Sequence, residues 1–145
     1  MGIHNLKPKQ IRLKIEKQFN KIKNWVEKKG YTLKFGKADY VDYSTKEVVV
    51  FQNQYNLKHQ IYSALHECGH VIIGNSSNYY RDFKSIVKAD TIDGRHYRSN
   101  LYKYKKLKEE IDAWEKGYKL AKKLGISINK DDYDKYAAKY FVTYC

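Results

Sequence analysis

The chain has 145 residues, of which 42% are hydrophobic and 15% aromatic, and it contains a single proline. This composition can form a core and excludes a disordered or linker-like chain. No apolar run approaches the roughly 18 residues that a membrane-spanning helix requires, and two cysteines argue against a disulfide framework. We therefore expect one soluble domain over residues 1–145, without a membrane partner and located in the cytoplasm.

The chain is strongly basic, with a formal net charge of +13 from 29 Lys and Arg against 16 Asp and Glu. Lysine supplies 25 of the 29, and these lysines are spread along the whole chain. Arginine, the residue that usually contacts phosphate through two hydrogen bonds, is rare. The charge either attracts nucleic acid or another polyanion, or it reflects a lysine-coated surface from an A+T-rich genome. Charge alone therefore names no partner.

The first third of the chain predicts one helix followed by three strands. Apolar residues recur at steps of three and four in residues 9–29, which predicts an amphipathic helix that ends at Gly30. Three runs rich in β-branched and aromatic residues follow, separated by turn-forming residues. We expect these runs to form an antiparallel three-stranded meander at residues 31–35, 39–43 and 47–52.

The rest of the chain predicts three helices and one long polar loop. Asn56 can cap the first of these helices, and Asn129 or Asp131 can cap the last. The loop at residues 75–100 is long for a compact domain, which is typical of a mobile or functional segment. The whole pattern predicts an α+β fold. The three helices are expected at residues 57–73, 101–125 and 131–144.

The stretch H-E-C-G-H, at residues 66–70, places two histidines four residues apart. On a helix these residues differ by about 40° around the axis, so His66 and His70 can bind one metal ion through neutral imidazoles. Glu67 lies at the edge of that face, where its carboxylate can reach a metal-bound water. Gly69 leaves room for a neighbouring backbone, and Cys68 fits a small buried apolar position. The competing interpretation is a pair of histidines that holds no metal.

A catalytic zinc site needs a third protein ligand. In the predicted helix 101–125, Glu110 falls inside the apolar stripe that should face the core, and Glu109 and Asp112 should face water. A buried carboxylate requires a partner, which a metal ion or a lysine can supply. We therefore prefer Glu110 as the third ligand, with His96 in the long loop as the alternative. The inward stripe is predicted at Leu107, Ile111, Trp114, Tyr118 and Ala121.

The segments ALHECGHVI and EEIDAW, with their H-E-x-x-H and E-x-x-A motifs, resemble the glutamate-zincin metallopeptidases. Within that group they are most similar to the ImmA/IrrE-type family and its small phage-encoded relatives. The resemblance implies a minimal zincin-like domain in which His66, His70 and Glu110 bind Zn²⁺ and Glu67 is the general base. It also implies a phage protein that acts in the host cytoplasm. A weaker resemblance to SprT-type DNA-associated proteases would instead make His96 the third ligand.

Together, the motif and the resemblance predict a zinc-dependent endopeptidase that hydrolyses a protein substrate. Zinc lowers the pKa of its water toward about 7, and Glu67 accepts the proton as the water attacks a peptide carbonyl. The strand at residues 47–52 is expected to line the cleft and to pair its free edge with an extended substrate. The rival hypothesis is a basic nucleic-acid or host-factor binding module with a structural zinc. Donors expected to stabilise the oxyanion are Arg95, His96, Tyr97 and Arg98.

Overall fold

The structure, a computed structural model, describes residues 7–74 and 100–141, which form four helices and one three-stranded sheet. This arrangement confirms the predicted α+β fold. No helix in these two ranges is long and apolar enough to cross a membrane. In chain order the elements are α1 (Pro8–Lys28), β1 (Thr32–Gly36), β2 (Tyr40–Asp42), β3 (Glu47–Phe51), α2 (Leu57–Gly74), α3 (Asn100–Leu124) and α4 (Lys130–Phe141).

The helices begin and end close to the predicted residues, for local reasons. Gly30 follows α1 with φ of +84°, a conformation that glycine adopts without the steric cost of a Cβ. The Asn56 side-chain oxygen accepts the backbone N–H of His59 at 3.2 Å and so caps α2. The Asn129 side chain accepts the N–H of Asp132 at 2.9 Å and caps α4 in the same way. The predicted caps at Asn56 and Asn129 are therefore confirmed.

The sheet is mixed, so the prediction of an antiparallel meander is wrong for one strand pair. β2 and β3 form the expected antiparallel hairpin, but β1 pairs in parallel with β3, and the strand order is β1-β3-β2. β3 is therefore central, and it does not offer the free edge that was predicted for residues 47–52. Its consecutive residues Val48, Val49 and Val50 are all buried. A strand that is apolar on both faces is typical of an interior position, with a neighbour along each edge.

α2 lies at the centre of the fold and packs against β3, α1, α3 and α4. Its closest neighbour is α3, because a Cβ added at Gly69 would overlap the backbone carbonyl of Ala113. Gly117 on α3 lies similarly close to the carbonyl of Leu65. The predicted close backbone approach at Gly69 is confirmed, and Cys68 is fully buried, as expected of a small apolar residue.

α3 is rotated about its axis relative to the predicted inward stripe. Ile111, predicted to face the core, is 39% exposed, whereas Glu109, predicted to face water, is only 9% exposed. Asp112, also predicted to face water, is half-buried. The reason is the contact with α2, because the backbones approach most closely where α3 carries its smallest side chains. Among the residues of α3 whose burial the structure describes, the buried ones are Glu109, Ala113, Trp114, Gly117, Leu120 and Ala121.

Candidate metal centre

His66, His70 and Glu110 converge where α2 and α3 cross. The Nε2 atom of His66 is 2.7 Å from Oε2 of Glu110, and Nε2 of His70 is 3.3 Å from the same oxygen. The two histidine Nε2 atoms are 3.1 Å apart. Ligand atoms held tetrahedrally at about 2.0–2.1 Å from zinc are separated by about 3.3 Å. The three atoms are thus spaced to bind one metal ion, and the ligand assignment stays a prediction.

Glu109 contacts His70 from the side opposite the cluster. The Nδ1–H of His70 donates to Oε1 of Glu109, with 3.1 Å between the atoms. This hydrogen bond favours the form of His70 whose Nε2 can point a lone pair at a metal, an arrangement that recurs around metal-binding histidines. Sequence reasoning missed this role of Glu109. The available signal was the position of Glu109, four residues before Ala113 and eight before Gly117. This spacing places Glu109 on the face of α3 that carries these two small residues.

His66 is held by an aromatic contact as well as by its polar neighbours. Its ring stacks on the indole of Trp114, with 4.2 Å between centroids and 3° between planes. The other ring nitrogen, Nδ1, lies 3.4 Å from Oε1 of Glu67. Trp114 is only 3% exposed, so the surface that orients His66 is itself fixed by packing. His66 therefore presents Nε2 to the cluster with little freedom to rotate.

The ionisable groups of the cluster have displaced pKa values in the metal-free protein. Burial raises the pKa of Glu67 to about 8. Burial alone would lower the pKa of His70, but hydrogen bonds to Glu109 and Glu110 outweigh it and raise that pKa to about 10. For His66 burial prevails and lowers the pKa. A metal ion must displace the His70 proton, so metal affinity should increase with pH.

The pKa of Glu110 shifts in the opposite direction to that of Glu67, although burial acts on both carboxylates. Burial favours the neutral acid of Glu110, but its hydrogen bonds with His66 and His70 outweigh burial and hold the pKa of Glu110 below its ordinary value. Glu110 is therefore the anionic member of the cluster at neutral pH. Glu67, which lies beside the cluster and has a raised pKa, is the carboxyl group able to exchange a proton.

A cavity of about 340 Å³ opens beside the cluster, and the cluster residues line part of its wall. Strand β2, rather than β3, forms the adjacent sheet edge, which corrects the prediction that residues 47–52 line the cleft. The oxyanion candidates at residues 95–98, including the alternative ligand His96, lie outside the described residues. The remaining side chains that line the cavity are Asp39, Tyr40, Val41, Tyr43, Ser63, Glu67, Lys106, Glu109, Trp114 and Tyr140.

Comparisons of the chain with protein-family models, curated proteins and solved structures found no match in any of the three. The functional assignment therefore depends on the chemistry of the site. Two imidazoles and a carboxylate meet at one point, and a second carboxylate, that of Glu67, lines the same cavity.

Proposed function

We propose that this chain is a zinc-dependent endopeptidase, with His66, His70 and Glu110 as metal ligands and Glu67 as general base. The observation that carries the proposal is the convergence of the two Nε2 atoms and the Glu110 carboxylate within 4.8 Å of one another. Two imidazoles and one carboxylate are a typical ligand set of catalytic zinc. In the described part of the chain no fourth His, Cys or acid joins the cluster, which favours an open site over a closed structural one.

Glu67 is suited to move a proton in this cavity. Zinc, when bound, would polarise a substrate carbonyl and acidify a water molecule. Glu67 would accept the proton of that water and pass it to the leaving amine. Its side chain is only 5% exposed, so a proton that it holds is shielded from bulk water. In the metal-free protein burial raises the pKa of Glu67 to about 8, and a bound zinc cation would lower it again, so that the carboxylate could accept a proton near neutral pH.

The adjacent strand supports a peptide as the substrate. β2 pairs with β3 along one edge, and Tyr40 and Val41 also line the cavity. An extended peptide that added to the other edge of β2 would run past Glu67 and the metal cluster. This geometry supports an endopeptidase, which accepts substrate chain on both sides of the bond it cleaves.

The proposal is tested by comparing Glu67→Gln with Glu115→Gln, a change of the same type at an exposed position of α3. Zinc content should stay near one per chain in both variants. Cleavage of an unfolded protein substrate should fall by about 10²–10⁴-fold in Glu67→Gln alone, because the general base is lost. Cleavage by Glu67→Gln at the parental rate would refute the mechanism.

The ligand set is tested separately by metal content. Glu110→Ala should lose zinc, whereas Glu115→Ala should retain it, because Glu115 is exposed and is not a member of the cluster. If Glu110→Ala keeps its zinc and His96→Ala loses it, the SprT-like assignment replaces this one.

The net charge of +13 favours a second candidate, a nucleic-acid-associated protease or a binding module without protease activity. Binding to DNA that weakens steeply with added salt, together with no cleavage dependent on Glu67, would support the binding module. Cleavage that requires both Glu67 and DNA would support the DNA-associated protease. The phage origin and the cytoplasmic location stay predictions from the sequence.

A further inference from the structure

Asp39 lines the cavity and directly precedes the edge strand β2. Its Oδ1 atom accepts the backbone N–H of Phe51 at 2.7 Å. This hydrogen bond anchors the side chain to the adjacent central strand. The residue is half-buried and lines the same cavity as Glu67 and His66. Asp39 therefore presents a fixed carboxylate to any molecule that enters.

Asp39 differs from the other three carboxylates of the cavity in its partners. Glu67, Glu109 and Glu110 each contact a histidine of the metal cluster. Lys106 also lines the cavity, and its Nζ lies 3.9 Å from Oε2 of Glu109. Within residues 7–74 and 100–141, Asp39 forms no ion pair, and its hydrogen bond comes from an uncharged amide.

In the metal-loaded cavity, each cation would lie beside a carboxylate other than that of Asp39. A divalent zinc ion would be bound by Glu110 and the two histidines, and the ammonium of Lys106 lies beside Glu109. Asp39 therefore supplies a negative charge that no cation of the described cavity wall contacts, in Glu67→Gln as well as in the parent. This charge stands out in a chain whose formal net charge is +13.

We propose that Asp39 is a specificity-determining residue that selects protein substrates with an arginine or lysine side chain close to the cleaved bond. The inference rests on the proposed peptidase function. A carboxylate fixed by one hydrogen bond retains acceptor sites for a guanidinium or an ammonium. The basic surface repels a cationic peptide at long range, and salt screens this repulsion beyond about 10 Å. The preference therefore arises from contact at Asp39 rather than from the field of the whole protein.

The probe is a set of labelled decapeptides of alanine and serine, each with a single arginine at a different position. Each has a matched peptide with citrulline, which keeps the shape of arginine without its charge. Affinities are measured by fluorescence anisotropy for zinc-loaded Glu67→Gln, which should bind peptides without cleaving them. Two double variants carry Glu67→Gln together with Asp39→Asn or with Asp131→Asn, a control at an exposed position. The amide introduced by Asp39→Asn keeps an oxygen that can accept the Phe51 N–H, so the fold should be preserved.

Glu67→Gln should bind the arginine peptide about tenfold more tightly than its citrulline match at one position of the scan. The Asp39→Asn double variant should lose this preference, and the Asp131→Asn double variant should retain it. The inference is overturned if Glu67→Gln shows no preference at any position, or if the preference survives Asp39→Asn. Cleavage by the parent reports separately on the proposed function. An Asp39-dependent preference without any cleavage would uphold the subsite and reject the peptidase.

Discussion

The two faces of α3 differ in a way that explains both the site and the error in locating it. One face carries Glu109, Ala113 and Gly117 and packs directly against α2. The other carries Ile111 and Tyr118, which are larger and more apolar but remain partly exposed. Between these two faces, burial therefore follows how closely the two backbones can approach rather than the size of the apolar side chains. The carboxylates that reach the histidines lie on or beside the small-residue face for the same reason.

The largest effect should follow from adding one methyl group to the close-packed face. Gly69→Ala places a Cβ against the Ala113 carbonyl, and the two helices must separate to accommodate it. We expect a loss of about 3 kcal/mol in the free energy of unfolding, measured by urea denaturation with a chelator present. Zinc content should fall as well, because His70 on α2 and Glu110 on α3 would move apart.

The matched control for this change is Lys119→Ala, which introduces alanine at an exposed position of α3. It should leave the free energy of unfolding within about 0.5 kcal/mol of the parent and leave zinc content unchanged. Equal stability of Gly69→Ala and the parent would show that α2 and α3 do not pack through these small residues.

Much of the fold could be predicted because its signals are local. The helical periods, the caps at Asn56 and Asn129, and the stop at Gly30 depend on residues that are near one another in sequence. The spacing of His66 and His70 likewise fixes their common face once the segment is helical. Glu110 could be placed beside the two histidines because it faces the interior both in the predicted orientation of α3 and in the orientation that the structure shows.

The errors concern contacts that no short segment determines. β1 pairs in parallel with β3, and β2 lies between these two strands in sequence but not in the sheet. No residue pattern within a single strand predicts such a pairing. Glu109 was misplaced because the predicted orientation of α3 gave weight to large apolar residues such as Ile111. The cost of burying Glu109 is offset by its hydrogen bond with His70, a tertiary contact. Asp39 was missed because only the fold brings it to the cavity.

The next prediction concerns Glu67, which is buried on α2. Its pKa is about 8 in the folded metal-free protein against an ordinary 4.5, so the folded state retains a proton that the unfolded state releases. This contribution to stability is present below about pH 4.5 and is lost as the pH rises to about 8. Between pH 5 and pH 8 the parent should therefore lose about 3 kcal/mol more than Glu67→Gln, measured by urea denaturation with a chelator.

His70 makes a pH-dependent contribution to stability that is largely common to the parent and Glu67→Gln. His70 is also protonated more readily in the folded protein, with a pKa of about 10, and its contribution declines as the pH rises above 6.5. The hydrogen bonds to Glu109 and Glu110 raise the pKa of His70 more than the charge of Glu67 does, and they remain in Glu67→Gln. Most of that decline is therefore common to both proteins, and the difference between them reports mainly on Glu67. Parallel pH profiles for the two proteins would contradict burial of an ionisable Glu67.

A smaller effect is expected from Glu109, whose role is to orient His70. Glu109→Gln should lower zinc affinity by about 10–100-fold, because the amide holds the His70 ring less strongly than a carboxylate. Glu115→Gln, on the exposed side of the same helix, should leave the affinity unchanged. Competition with a zinc chelator at fixed pH measures both constants. Equal zinc affinity for Glu109→Gln and Glu115→Gln would remove Glu109 from the site.

The smallest effect should come from the outward face of α3. Ile111 is 39% exposed, so Ile111→Ala should cost less than about 1 kcal/mol in the free energy of unfolding. Leu120, on the same helix, is 4% exposed, and Leu120→Ala should cost about 2–4 kcal/mol because it leaves a cavity in the core. Both changes shorten an aliphatic side chain to alanine in one helix, so helix propensity contributes little to the difference. If Ile111→Ala proved as costly as Leu120→Ala, the two faces would be equally packed, and the small-residue face would not be what positions Glu109 and Glu110.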